Sequence, residues 1–342
     1  MAVMRISLSA CNQVQPLVNF PGSLINMDQL ILTRQRRKDK VVVVIGATGT
    51  GKSRLSIDLA NRYDAEVINS DKMQIYKGLD IVTNKVTDEE RRGVPHHLLG
   101  IAPPDEDFTA GDFVYHASLA ADRITKRGRL PIIVGGSNSY VKALVNDDIE
   151  FRNKYEFCFL WVDVLMPILH SFVSKRVDRM VDARLVDEVK EFFDPLGDYT
   201  RGIRRAIGVP EMHEYFRNEP FHDDESRVKI LEEAIKQIKS NTCILSCRQL
   251  QNILRLQGLL ERRMHRLDAT EAFLKHGDEA NEAWERSVAK QSIKIVDRFL
   301  SRTNTTQISS TISPTHMPIM APPVPSIFLG STTATAVVTA TR

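Results

Sequence analysis

Val41-Val42-Val43-Val44-Ile45 runs directly into Gly46-Ala47-Thr48-Gly49-Thr50-Gly51-Lys52-Ser53, and this stretch decides the fold. Five β-branched residues in a row leave no polar face, the pattern of a parallel strand buried on both sides. The eight residues that follow match the phosphate-binding loop G-x-x-x-x-G-K-S in full. Gly46, Gly49 and Gly51 free the backbone to turn its N–H groups toward an anion. Lys52 adds a mobile positive charge, and the Ser53 hydroxyl suits Mg²⁺. Leu55 and Leu59, four apart, then read as the helix whose N-terminus faces the phosphates. Strand, loop and helix in this order predict binding of a di- or triphosphate and leave open what happens to it.

The same alternation continues outward. Ala65 to Ser70 reads as a second strand ending at Asp71. Thr109 with Asp112 three residues on is a capping box. Phe113, Ala117, Ala120 and Ile124 mark the helix face that follows, and Gly128 ends it. Leu130 to Val134 is a further apolar strand opening into Gly135-Gly136-Ser137-Asn138-Ser139-Tyr140, and Phe157 to Val162 another, ending at Asp163. Repeated strand, turn and helix predict an α/β fold, a P-loop NTPase-like parallel sheet covered by helices on both faces. Ligands of such sheets sit beyond the strand C-termini, where the P-loop, Asp71, the Gly135–Tyr140 turn and Asp163 converge. From Met166 the spacing of Ile168, Phe172, Met180, Leu185, Val189 and Phe193 turns helical, and Val228 to Leu256 continues as a basic amphipathic run. The organisation expected is therefore a core over 39–165 and a mostly helical cap, with C-terminal helices packed on the core, over 166–300.

Composition bounds the rest. At 342 residues, 42% hydrophobic and 26% charged, the chain is neither collagen-like nor mostly disordered. No apolar run approaches the ~18 residues of a transmembrane helix, so no membrane partner is expected. Four scattered cysteines make no disulfide framework. The net charge of +3 comes from the two ends: residues 41–300 carry 38 basic and 41 acidic side chains. A slightly acidic body argues against stable nucleic-acid binding. The first 27 residues hold no acid, and Arg34, Arg36, Arg37 and Lys38 follow, so 1–38 reads as a disordered transit peptide. Residues 301–342 are half Ser, Thr and Pro with almost no charge, and read as a disordered tail.

Three kinds of P-loop protein remain possible on these grounds. An NTP-hydrolysing switch would hold Mg²⁺ through a strand-end aspartate, Asp163 or Asp71. A small-molecule kinase would close Arg204 and Arg205 over the transferred phosphoryl group. A third kind holds a diphosphate leaving group while carbon is attacked. Spacing does not choose among them.

Further motifs do. Gly46–Ser53, Asn69-Ser70-Asp71-Lys72-Met73-Gln74-Ile75-Tyr76 and Asp80-Ile81-Val82-Thr83-Asn84-Lys85 resemble the isopentenyltransferase family, in its plant-type adenylate branch. Gly93-Val94-Pro95-His96-His97-Leu98-Leu99-Gly100, Gly135–Tyr140, Gly202–Gly208 and the segments Asn241-Thr242-Cys243 and Arg248-Gln249-Leu250 extend the resemblance over residues 38–300. It implies transfer of a dimethylallyl group from dimethylallyl diphosphate to the exocyclic amine of AMP, ADP or ATP, the first step of cytokinin biosynthesis, in a plastid or alternatively in the mitochondrion or cytosol. ADP and ATP are the acceptors the plant-type branch favours. Asp71 resembles the general base, needed because the lone pair of an adenine amine is delocalised into its ring. Thr48, Lys52, the loop N–H groups of Gly46–Ser53 and a Mg²⁺ on Ser53 would hold the departing diphosphate. Arg205 and Lys239 match positions that grip diphosphate from the helical side, and Ser70, Ser137, Asn138 and Tyr140 match the substrate pocket.

Several matched residues have plainer roles. His96 and His97 lack partners at metal-ligand spacing and read as structural, and Cys243 and Cys247 as core thiols. Asp163 suits orienting a neighbour or capping a turn, or touching Mg²⁺ through water. Tyr76 and Tyr140 suit either the pocket or the core. Ala47 replaces a proline frequent in the family, and Arg184 stands where relatives often carry glycine. If that position has positive φ, arginine there costs about 1 kcal/mol or more. Rivals to the nucleotide reading are a tRNA dimethylallyltransferase and a P-loop kinase. Against the tRNA enzyme, no Cys/His zinc module follows residue 250.

Overall fold

The computed structural model describes residues 38–219, 223–260 and 264–302. Readings made for the transit peptide and the tail fall outside them, apart from Lys38, Ser301 and Arg302. In chain order the elements are β1 Asp39–Ile45, α1 Lys52–Tyr63, β2 Ala65–Asn69, α2 Asp88–Arg91, β3 His96–His97, α3 Ala110–Lys126 and β4 Leu130–Gly135. There follow α4 Asn138–Lys142, α5 Ile149–Lys154, β5 Tyr155–Asp163, α6 Met166–Asp182, α7 Leu185–Phe192, α8 Val209–Asn218 and α9 Asp224–Leu259. The last are β6 Met264–Asp268, α10 Thr270–Leu274, α11 Gly277–Trp284 and α12 Lys290–Ser301.

All strand pairs are parallel, in the order β3-β2-β4-β1-β5-β6. The valine run explains why β1 is central. Val41, Val43 and Ile45 face a core built with α3, α5, α7, α8 and α9, while Val42 and Val44 face a second core with α1 and α12. Each of these five side chains is fully buried. α6 serves both cores, with Leu169 and Val173 in one and Val177 in the other. β1 lies between β4 and β5, so the turn after it opens into the crevice where the chain switches direction across the sheet.

The Thr109–Asp112 capping box forms as its spacing predicts: Asp112 N donates to Thr109 Oγ1 at 3.2 Å, and Thr109 N to Asp112 Oδ2 at 2.8 Å. After residue 166 the named elements among the described residues are helices except for β6, which sequence reading does not contain. β6 pairs with β5 from Phe159↔Met264 to Asp163↔Asp268, and α12 then packs on the core. Lys40 at the start of β1 donates to the carbonyls of Leu300 and Arg302 at 2.8 and 2.9 Å, the favoured place for a cation at a helix C-terminus. The described residues form one compact unit.

Candidate active site

The phosphate loop leaves β1 with Gly49 and Gly51 at φ +84° and +91°, values an L side chain rarely adopts. At Gly51 space is lacking too: a Cβ would sit 2.6 Å from the Trp284 ring, which arrives from α11. Trp284 is itself fixed, with Arg54 over its face at 4.7 Å and its indole N–H directed to Asp58 at 3.4 Å. Thr50 is buried and its hydroxyl donates to Ala47 O at 2.9 Å, so this side chain shapes the loop from inside.

The loop opens into a cavity of about 1350 Å³. Nine Lys or Arg side chains line it against two carboxylates, Asp71 and Glu90, so the space is built for a polyanion. Lys52 Nζ donates to Ala47 O at 2.7 Å. Burial pushes its ammonium down to about 8, Asp71 pulling it up and Arg176 pushing it further down. Arg176, on α6, donates to Thr48 Oγ1 at 3.0 Å. Burial, and then Arg179, lower its guanidinium to about 10, against the pull of Asp71. A lowered cation pKa is the signature of positive charge held in place without enough counter-charge.

Asp71 follows β2 at the cavity wall. Its Oδ1 accepts from Met73 N at 3.0 Å, its own N–H donates to Asn69 Oδ1 at 3.2 Å, and buried Asn69 donates to Leu98 O at 2.9 Å. The carboxylate is thereby aimed and its backbone pinned, while Oδ2 lies beside Gly136, 3.6 Å from where a Cβ would be. The Ser137 hydroxyl accepts from Lys72 N at 2.9 Å, and Asn138 Nδ2 donates to Gln249 O at 3.1 Å. Ser137 and Asn138 line the cavity together with Thr48, Gly49, Gly51, Lys52 and Ser53.

Of the helical-side cations, Arg205 reaches the cavity from the 3₁₀ turn Gly202–Arg205, braced by Gly202 O at 3.3 Å and Asp107 at 3.2 Å. Lys239 does not line it. This lysine on α9 is paired with Asp178 at 2.5 Å. Ser70 and Tyr140 stand behind the wall. Ser70 is fully buried against Gly135, and Tyr140 stacks on Phe113 at 4.7 Å and donates to Phe108 O at 2.7 Å. Tyr76 is likewise a core residue. Gly46 and Ala47 serve through backbone, Ala47 as the carbonyl that Lys52 and Thr50 share.

Asp163 accepts from Arg266 Nε and Nη2 at 2.7 and 2.6 Å, so its charge is answered by β6. Arg204, a lid candidate in the kinase reading, lies over Phe192 and pairs with Asp105 at 3.1 Å. His97 binds Glu66 at 2.6 Å and His96 the Val94 carbonyl at 2.9 Å. Among the described residues no group of three His, Cys, Asp or Glu could hold a metal by itself. The donors at the cavity, the Ser53 hydroxyl and the Asp71 carboxylate, still fit Mg²⁺, which keeps several waters and shares itself with substrate phosphates. Sequence reading gives no role to Arg176, Gln249 or Trp284. Arg176 is one cation among several on an amphipathic helix, and only the fold sets it against Thr48.

The family model for IPP transferase matches residues 74–154 and 146–255. The chain is 58% identical over 303 residues to adenylate isopentenyltransferase 5, chloroplastic, of Arabidopsis thaliana, covering 87% of this chain and 90% of that protein. It is 52% identical over 306 residues to adenylate isopentenyltransferase 7, mitochondrial, of the same plant, covering 88% and 92%. Among solved structures, a eukaryotic dimethylallyltransferase acting on tRNA is similar at TM-score 0.67 and 25% identity, covering 77% of this chain and 80% of that one. The tRNA isopentenylpyrophosphate transferase of Bacillus halodurans is similar at TM-score 0.61 and 27% identity, covering 77% and 100%. With a phosphate loop facing a strand-end aspartate in one cavity, and at this level of identity and coverage, the chain belongs to the adenylate isopentenyltransferase family.

Proposed function

We propose that the chain transfers the dimethylallyl group of dimethylallyl diphosphate to the N6 amine of an adenine nucleotide, releasing diphosphate, as the first step of cytokinin biosynthesis. The observation that carries this reading is Asp71 in the same cavity as Lys52 and Arg176, close enough that its charge acts on both. An NTPase or kinase needs the cations. Both can also place a carboxylate near the phosphates, so it is the 58% identity to an adenylate isopentenyltransferase that favours transfer to an adenine amine, with Asp71 as the base.

The allylic C1–O bond breaks with its electron pair passing to the diphosphate, the N6 lone pair forms the new C–N bond, and Asp71 takes the N6 proton. Thr48, the loop N–H groups, Lys52, Arg176 and Arg205 meet the charge that accumulates on the leaving oxygens. Ser53 would hold Mg²⁺, which adds further neutralisation of the diphosphate when bound. A free adenine nucleotide is the acceptor favoured by the relatives' names and by the acidic balance of residues 41–300, with ADP or ATP before AMP as the resemblance to the plant-type branch implies. A plastid is the compartment read from those names and the acid-free start of the chain, with the mitochondrion as alternative.

The test is a product assay with Mg²⁺, dimethylallyl diphosphate and each of AMP, ADP, ATP and a tRNA transcript. A five-carbon mass gain on a free nucleotide with stoichiometric diphosphate, lost in Asp71→Asn, is the expected result. Prenylation of tRNA alone would move the chain to the tRNA branch, and ATP turnover without prenyl transfer would leave only the phosphate-loop reading standing.

A further inference from the structure

Gln249 lies on α9 and is 8% exposed. Its Oε1 accepts the Thr48 N–H at 2.7 Å, its Nε2 donates to Gly136 O at 3.1 Å, and its backbone carbonyl accepts from Asn138 Nδ2 at 3.1 Å. One side-chain amide therefore joins the phosphate loop to the glycine turn beside Asp71. An amide suits this place because it accepts at one end and donates at the other. Gly136 is fitted to it, since a Cβ there would stand 2.4 Å from Gln249 Nε2. The carbonyl of Gln249 can only accept, so it also fixes which way Asn138 points, leaving Asn138 Oδ1 as a buried acceptor with no protein partner.

We propose that Gln249 is a positioning residue for the prenyl transfer, setting the distance between the leaving-group site on the phosphate loop and the turn that flanks the base. The proposal rests on the reaction assigned above. Gln249 acts through Thr48, Gly136 and Asn138. Direct alkyl transfer requires the amine, C1 and the leaving oxygen to stand in line, and a misplacement of about 1 Å costs ~10²-fold in rate. The tie at Gln249 spans the two ends of that line.

The experiment compares Gln249→Met and Gln249→Glu with wild type in steady-state turnover of dimethylallyl diphosphate and ADP, with thermal midpoints measured alongside. Methionine keeps the volume and loses both hydrogen bonds, so kcat falls ~10²-fold while KM for the donor stays within about threefold. Glutamate keeps an acceptor for Thr48 N–H but turns its second carboxylate oxygen against Gly136 O. Protonation returns a donor at that oxygen, so kcat of Gln249→Glu rises between about pH 8 and 6 relative to wild type. A packing role alone has no such pH profile. Variants that turn over within about threefold of an active wild type overturn the proposal. So does a loss of activity that tracks loss of folded protein in both variants, or a flat relative pH profile. A wild type that prenylates no nucleotide overturns the reaction assignment instead, whatever the variants do.

Discussion

Arg176 Nη2 donates to Thr48 Oγ1 at 3.0 Å, joining two residues 128 positions apart. The bond brings α6 against the phosphate loop and puts a second guanidinium-strength charge beside Lys52. That charge is costly to bury, and its lowered pKa reflects it. A site selected for holding diphosphate pays this in stability.

Arg176→Met accordingly separates function from fold. kcat/KM for dimethylallyl diphosphate is expected to fall ~10²–10³-fold, the usual loss for one preorganised donor at a charge-developing oxygen. The thermal midpoint should not fall, because the variant removes an under-compensated buried cation and keeps its apolar stem. Steady-state kinetics with thermal unfolding checks both halves, and a variant that is both active and unstable would contradict them.

Lys52 gives the pH dependence of anion binding. Its folded pKa of about 8 lies below the unfolded value of 10.5, so the unliganded fold prefers it neutral, and the penalty for charging it is relieved as pH rises from 8 toward 10.5. A bound diphosphate favours the ammonium. Pyrophosphate affinity should therefore weaken above about pH 8, by up to tenfold per pH unit, with proton uptake on binding in that range. Calorimetry in two buffers of different ionisation enthalpy measures the uptake, and Lys52→Met should abolish it.

Glu66 governs acid stability. Burial alone would raise its carboxyl, but hydrogen bonds from Arg127, His97 and Arg129 outweigh that and hold it at about 2. With a depressed folded pKa, its contribution is complete above the unfolded value of 4.5 and is lost as pH falls from there toward 2. The amount is on the order of 2–3 kcal/mol. Glu66→Gln should lower stability at pH 7 and flatten the acid limb of the stability curve, as read by urea unfolding at pH 3 to 7.

Arg184 does occupy the left-handed region, at φ +75° and ψ 32°, between α6 and α7. This position after a helix C-terminus is one where glycine is favoured. Arg184→Gly should stabilise by about 1 kcal/mol, since the exposed Arg184–Asp187 ion pair at 2.9 Å contributes little. A rise of a few degrees in thermal midpoint with unchanged kcat is the expected reading.

Much of this molecule was legible in its residues, for identifiable reasons. A strand buried on both faces must be an apolar run, and a phosphate loop must carry its glycines and lysine in fixed order, so β1 and Gly46–Ser53 could be read directly. β6 could not: Met264-His265-Arg266-Leu267-Asp268 has no β-branched residue, and it sits at the sheet edge with His265 and Arg266 exposed. The place of Asp71 at the cavity wall was legible from its strand end and motif. Gln249 and Trp284 were not given roles, because their positions opposite Gly136 and Gly51 come from tertiary structure. Tyr140 packs in the core here, and a motif alone does not distinguish packing from contact with substrate.

The phosphate loop is complete in sequence at residue 53, yet Gln249, which accepts its Thr48 N–H, lies 201 residues beyond Thr48, and Trp284 further still. At about 5–20 residues per second of synthesis, the loop leaves the ribosome roughly 10–40 seconds before its brace does. The nascent chain therefore carries a recognisable nucleotide motif for most of its synthesis without a formed site. A product truncated before α9 would retain the motif and lack the means to use it.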